Sequence, residues 1–160
     1  MGLNVQAAIL RKINNPLEIV NFIIPDLKKG EVLVKIFYSG ICRSQLMEIE
    51  GLRGIDKYLP HMLGHEASGV VVKTSEGVTK FNKGDEVVLS WIKSEGLDTK
   101  GGIIKIDSDV INYGPISTFS NYSIISENRL IKKPTGYSFK LATLFGCALP
   151  TGSGIIKNEI

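Results

Sequence analysis

Thiols and imidazoles are scarce in this 160-residue chain: Cys42, Cys147, His61 and His65 are all it has. Cys42 stands in SGICRS, at the close of a strand-to-helix turn. His65 stands in MLGHEASG, followed at once by Glu66, and Cys147 stands in LFGCALPTG. Two thiolates and one imidazole form a donor set that suits zinc. A catalytic zinc uses three protein ligands of this kind and keeps a fourth position for water or substrate. The separations are wide, 23 residues from Cys42 to His65 and 82 from His65 to Cys147, unlike the close-set pairs of a zinc finger. Spacing therefore leaves other readings open. Cys147 in an apolar run also suits a small buried hydrophobe, and His65 beside Glu66 suits a satisfied core or surface pair. His61 reads as a structural or surface histidine. Two cysteines make no disulfide framework; in a reducing compartment such residues more often bind metal or react.

If these residues are to meet, strands must bring them together. EVLVKIFYSG (31–40) alternates apolar and other residues and ends in Ser-Gly; ASGVVVKTS (67–75) and DEVVLSWI (85–92) are short β-branched runs between turn residues. EGVTKFNKGDEVV reads as strand, turn, strand, with Lys83-Gly84-Asp85 as the turn. FSNYSIISENRLIKKP (119–134) predicts one more strand, stopped by Pro134. Two segments read as helices: SQLMEIEG (44–51), closed by Gly51, and SFKLATLFGCAL (138–149), with Ser138 as N-cap. Residues 93–113 are polar and glycine-rich, a long loop or hairpin excursion. The sum is a mostly β, barrel-like domain with helices late in the chain.

Bulk properties narrow the class. A hydrophobic share of 43% and a charged share of 22% are those of an ordinary globular domain, and the length is enough for a real core. The net charge of +3 is scattered, with pairs such as Lys28-Lys29 and Lys132-Lys133 but no basic block, so nucleic acid is not the implied partner. MGLNVQAAILRK lacks the apolar core of a secretory leader, and Gln6 stands where myristoylation wants Ser or Thr. No apolar run approaches the roughly 20 residues of a spanning helix. No membrane partner is expected, and the default expectation is a cytoplasmic protein.

Four stretches then occur in order: GICRSQ, LPHMLGHEASGVVVKTSEGVTKFNKGDEVV, STFSNYSII and LFGCALPTGSG. Together they closely resemble the zinc-dependent medium-chain alcohol dehydrogenase family, whose catalytic domain carries G-x-C-x-S/T, G-H-E-x-x-G, G-D-x-V and a late G-C-x-x-x-T-G. The resemblance runs from near Gln6 to near Lys157. It implies a mainly β fold with a few helices, a GroES-like partly open β-barrel over residues 1–153. Residues 154–160 would start the linker helix to an absent Rossmann NAD(P)-binding domain. It also implies that Cys42, His65 and Cys147 hold one catalytic zinc. Glu66 matches a zinc-proximal glutamate that assists ligand exchange, and Ser44 a hydroxyl that touches the substrate alcohol and begins proton removal. Arg43 matches a contact to the cofactor pyrophosphate and Thr151 a residue near the nicotinamide. Trp91 and Tyr113 fall where the family places aromatic walls of the substrate pocket, with plain core packing as the alternative. The implied reaction oxidises a small alcohol to an aldehyde or ketone by hydride transfer to NAD(P), in a homo-oligomeric full-length protein.

Four departures stand beside the match. The family's four-cysteine structural zinc loop is replaced by residues 93–113, which hold no cysteine, so no structural zinc is expected. Gln45 occupies the place of an Asp that supports the zinc-bound histidine; its amide oxygen can accept the histidine N–H without adding charge. Met47 stands where some members carry a proton-relay histidine. Gly152-Ser153-Gly154 fails as a dinucleotide loop: Lys157 sits where the third glycine belongs, and no strand precedes it. The expectation is a catalytic-domain fragment that does not turn over alcohol alone. The rivals are a polyol, sugar or threonine dehydrogenase or a crotonyl-type reductase of the same superfamily, a non-catalytic GroES-like binding module, and a purely structural zinc protein. Zinc-free quinone reductases of this fold fit worse, since they lack the Cys–His–Cys set.

Overall fold

Alternating burial builds the first sheet. In β1 (Asn4–Leu10), Val5, Ala7 and Ile9 turn inward between exposed Asn4 and Gln6. The strand pairs antiparallel with β2 (Glu18–Ile23) and with β4 (His61–Met62). β4 runs parallel to β8 (Asp109–Tyr113), which forms a hairpin with β7 (Gly102–Ile106). The order is β2-β1-β4-β8-β7. The edge strands β2 and β7 approach each other, so the sheet curls into a half-barrel around Val5, Ile9, Phe22, Met62, Ile104 and Ile111. Residues 93–113 are thus largely a hairpin. Its turn places Asp107 at φ 51°, a conformation that short polar side chains tolerate.

The second sheet has the order β10-β6-β5-β3-β9. Its strands are β3 (Glu31–Ser39), β5 (Glu66–Thr74), β6 (Glu86–Ser90), β9 (Tyr122–Ser126) and β10 (Leu130–Lys132). Val32, Val34, Val71, Phe81, Val87, Leu89, Ile125 and Leu130 form its core. Burying one such side chain contributes about 1.5–3 kcal/mol, so this core outweighs any single turn. Three helices complete the chain: α1 (Arg43–Ile49), α2 (Phe139–Ala142) and α3 (Ala148–Glu159). This computed structural model describes residues 2–159. The fold is the mainly β, GroES-like half-barrel that the resemblance implies. Among the described residues no single helix is long and apolar enough to cross a membrane.

Four local expectations are corrected. Residues 119–134 are two strands, β9 and β10, on opposite edges of the sheet, separated by a 3₁₀ turn at Glu127–Arg129. The expected strand before Lys83 is irregular: Thr79 and Lys80 give their N–H groups to the Glu127 carboxylate instead of a ladder. The helix expected over 138–149 is broken. Ser138 does cap it, accepting from the Leu141 N–H at 3.3 Å, but α2 ends at Ala142 and a 3₁₀ turn fills Thr143–Gly146. Finally, the last helix starts at Ala148, six residues before Gly154, with Pro150 tolerated in its first turn.

Candidate metal centre

The pairing of β3 with β5 decides where the site lies. Ser39 faces Ala67 across that ladder, so Cys42, just after β3, and His65, just before β5, emerge at the same end of the sheet. Glu66 pairs with Ser90 on the other side, which brings the end of β6 there too. Cys147 arrives last. Gly146 lies so close to the Leu89 carbonyl and to Glu66 that any Cβ would collide, and the Ser90 hydroxyl donates to its carbonyl at 2.7 Å. That contact ends the 3₁₀ turn. Cys147 adopts φ −150°, ψ −58°, outside the helical region, and is buried before α3 begins.

Ligand atoms of Cys42, His65 and Cys147 lie within 4.8 Å of one another. The two thiols are biased in opposite senses. The Ser44 N–H and hydroxyl, bonding to Cys42, pull its pKa below the ordinary thiol value; burial pushes Cys147 up, with Thr151 Oγ1 3.8 Å from its sulfur. Burial also holds the His65 ring neutral, and the charge of Arg53 adds to that effect. His65 Nε2 is buried with no hydrogen-bond partner among the described residues. A buried polar atom left alone costs about 1–3 kcal/mol, and His65 shares its cluster with two thiols. The orphaned nitrogen and the soft donors fit a zinc ion.

Around this set the expected residues divide. Glu66 is buried, with its Oε2 accepting the Ala148 N–H at 3.1 Å; burial raises its pKa, opposed by the backbone N–H groups of Ala148 and Cys147. Ser44 Oγ lies 3.5 Å from His65 Nδ1. Arg43 is exposed on the first turn of α1. Trp91, half exposed, lines a groove of about 340 Å³ together with Pro150, Thr151 and Ile155, so Trp91 and Thr151 share one groove. Tyr113 does not join them. It is buried against the half-barrel core and lines another cavity, of about 460 Å³, with Glu48 and His61. Burial and the neighbouring Glu31 raise its pKa.

One expected contact is inverted. The Gln45 side-chain oxygen accepts the Cys42 N–H at 2.8 Å, so the amide nitrogen, not the oxygen, lies against His65 Nδ1. The N–H at the helix N-cap has no intrahelical acceptor and takes the oxygen first.

Residues 28–135 match the family model described as the alcohol dehydrogenase GroES-like domain. The chain belongs to this family. An S-(hydroxymethyl)glutathione dehydrogenase of Photobacterium damsela subsp. piscicida is 32% identical to it, over 89% of this chain and 45% of that protein. One from Escherichia coli O6:H1 is 30% identical, over 96% and 48%. The chain therefore spans about half the length of the curated relatives it matches. An alcohol dehydrogenase zinc-binding domain protein from Burkholderia ambifaria superposes with a TM-score of 0.79 at 26% identity, covering 99% of this chain and 50% of that one. Benzyl alcohol dehydrogenase from Acinetobacter calcoaceticus shares the fold, with a TM-score of 0.78 at 24% identity over 98% and 48%. What the chain shares with these proteins is the GroES-like domain of the alcohol dehydrogenase family.

Sequence reasoning missed a second cluster. Of the two readings of His61, the structural one holds: it is buried, and its Nε2 lies 2.7 Å from Asp56 Oδ2 and 3.8 Å from Glu48 Oε1. Only the spacing of Glu48 and Ser44, one helical turn apart on α1, hinted that Glu48 shares a face with the site.

Proposed function

We propose that this chain is the zinc- and substrate-handling half of an NAD(P)-linked alcohol dehydrogenase, with Cys42, His65 and Cys147 as the ligands of one catalytic zinc. The observation that carries the reading is the convergence of these three side chains around a buried, unpartnered His65 Nε2. When bound, zinc supplies a Lewis acid that lowers the pKa of an alcohol hydroxyl, and NAD(P), held by a following domain, supplies the hydride acceptor.

The chain's own residues do the rest. Ser44, at the start of α1 beside His65, takes the alcohol proton; with Met47 in the relay position, that proton passes on to water. Glu66, poised by burial to hold or release a proton, assists exchange at the ligand set. Trp91 walls the substrate, Thr151 seats the nicotinamide and exposed Arg43 meets the pyrophosphate. Tyr113 acts at most on a distal part of the substrate, through the cavity it lines. Residues 1–153 are read as the catalytic unit and 154–160 as the start of the link to the cofactor domain. The whole protein is read as a cytoplasmic homo-oligomer acting on a small alcohol or aldehyde, with no zinc in the cysteine-free segment 93–113.

Cobalt tests the reading. Substituted at the ligand set, it should show thiolate charge-transfer absorption that shifts when a small alcohol is added, because a coordination position is open. Thiolate bands indifferent to alcohol would make the metal structural. Absence of the bands would remove the site.

A further inference from the structure

The Glu48–Asp56–His61 cluster is made of three separate segments: α1, the loop before β4, and β4 itself. His61 Nδ1 lies 3.0 Å from the Met62 carbonyl oxygen. A carbonyl only accepts, so Nδ1 carries the proton and donates it. In the neutral ring, Nε2 then presents a lone pair, and what it faces is two carboxylate oxygens. Asp56 is held in that pose, because its other oxygen accepts the Tyr58 N–H at 2.8 Å.

The charges do not balance. Among the described residues no Lys or Arg nitrogen lies within the 4.0 Å of an ion pair to Glu48 or Asp56. Arg53 and Lys57 line a neighbouring depression with both carboxylates, yet neither pairs with them. Side-chain exposures of 9% for His61, 12% for Asp56 and 30% for Glu48 leave the acids only partly hydrated. Lone pairs converging on one point with a net negative charge call for a cation.

We infer that Glu48, Asp56 and His61 form a second metal site, for a divalent ion of borderline hardness such as zinc, cobalt or manganese. One imidazole and two carboxylates neutralise a 2+ ion and offer it three ligands from one side. The cavity of about 460 Å³ that Glu48 and His61 line leaves room for water to complete the shell. The site is separate from the Cys42–His65–Cys147 set, and the inference does not rest on the function proposed above. A proton on Nε2, making an imidazolium between the acids, is the competing occupant.

The metal-free chain is titrated with Co²⁺ and followed by absorption, with circular dichroism as the check on folding. The thiolate set reports itself by charge-transfer bands; a histidine–carboxylate set gives only weak d–d bands. The wild-type chain is expected to take two equivalents, one of each spectral kind, and His61→Gln only the thiolate one. Glu48→Gln lies on a partly exposed helix face that tolerates it. There the second equivalent should weaken at least roughly tenfold, the least that losing even an outer partner costs a metal site. A wild type without the d–d equivalent overturns the inference, as does a d–d equivalent unaffected by both variants. Loss of the thiolate bands with the d–d site intact defeats the catalytic-zinc reading and leaves this one standing.

Discussion

Glu66 and Glu127 are both buried, 3% and 1% exposed, and their carboxylates behave in opposite ways. Glu127 Oε1 accepts from the N–H groups of Thr79 and Lys80, and Oε2 from that of Leu97, at 2.8–3.0 Å. Burial pushes its pKa up, but those three donors and the Lys80 charge outweigh it, and the net value lies below the ordinary glutamate range. Glu66 has the N–H groups of Ala148 and Cys147; burial wins, and its pKa rises. The lesson concerns donor count. A buried carboxylate with enough backbone donors is a fixed charge that ties loops together, whereas one short of donors stays able to change protonation. The first belongs to the scaffold and the second stands beside the ligand set.

The contrast can be broken most directly at Glu127. Glu127→Ala strands three backbone donors and should cost about 3 kcal/mol in urea unfolding of the metal-free chain. A change below about 1 kcal/mol would mean that water replaces the carboxylate and the contrast is empty. Next come two glycines pressed against the two acids. A Cβ on Gly96 would meet Glu127, at a φ of +113° that only glycine adopts freely; one on Gly146 would meet Glu66 and the Leu89 carbonyl. Gly96→Ala and Gly146→Ala should each cost about 2 kcal/mol. Only Gly146→Ala should also weaken zinc binding, measured by chelator competition, because it displaces Cys147. Equal zinc affinity in both would detach the Gly146 contact from the site.

Adding charge sharpens the comparison from the other side. Gln45→Glu keeps the length of this buried side chain but gives it two acceptor oxygens, one for the Cys42 N–H and one for the His65 ring N–H. Zinc affinity should rise about tenfold, and an unchanged or lower affinity would show that the amide already serves as well. The smallest effect is expected for Glu66→Gln without metal: stability should rise, by no more than about 1 kcal/mol.

The pH dependence separates the two glutamates by sign. An unfolded glutamate titrates near about 4.3. Glu127, depressed in the fold, contributes stability above that value and loses it as pH falls toward its folded value. Glu66, raised in the fold, imposes a cost at neutral pH that is relieved as pH falls through its folded value. Urea midpoints measured from neutral pH into acid should therefore drop less steeply in Glu127→Gln than in wild type. A parallel drop in both would remove Glu127 as the cause.

Much of the site was legible because its residue types are rare. With two cysteines and two histidines in the chain, Cys42, His65 and Cys147 could be named from their surrounding words, and the alternation in 31–40 and 67–75 marked the central strands β3 and β5. His61 read as structural or surface, and its partners could not be named because Glu48 and Asp56 lie in segments whose approach no local pattern encodes. The split of 119–134 into β9 and β10 was hidden for a related reason. Ser-Glu-Asn-Arg reads as strand until the Glu127 carboxylate is seen to be claimed by N–H groups 30 to 48 residues away. The break before Cys147 likewise depends on Gly146 meeting Leu89 and Glu66 across the fold.

By itself, then, the sequence determined the donor inventory, the strand-rich core and the cap at Ser138, since each depends on residue type and near neighbours. Tertiary structure alone decided that β3 and β5 bring Cys42 to His65, that the pKa of Glu127 is lowered while that of Glu66 is raised, and that His61 faces two acids. Those outcomes depend on register, burial and the supply of backbone donors, which are set by segments far apart in the chain.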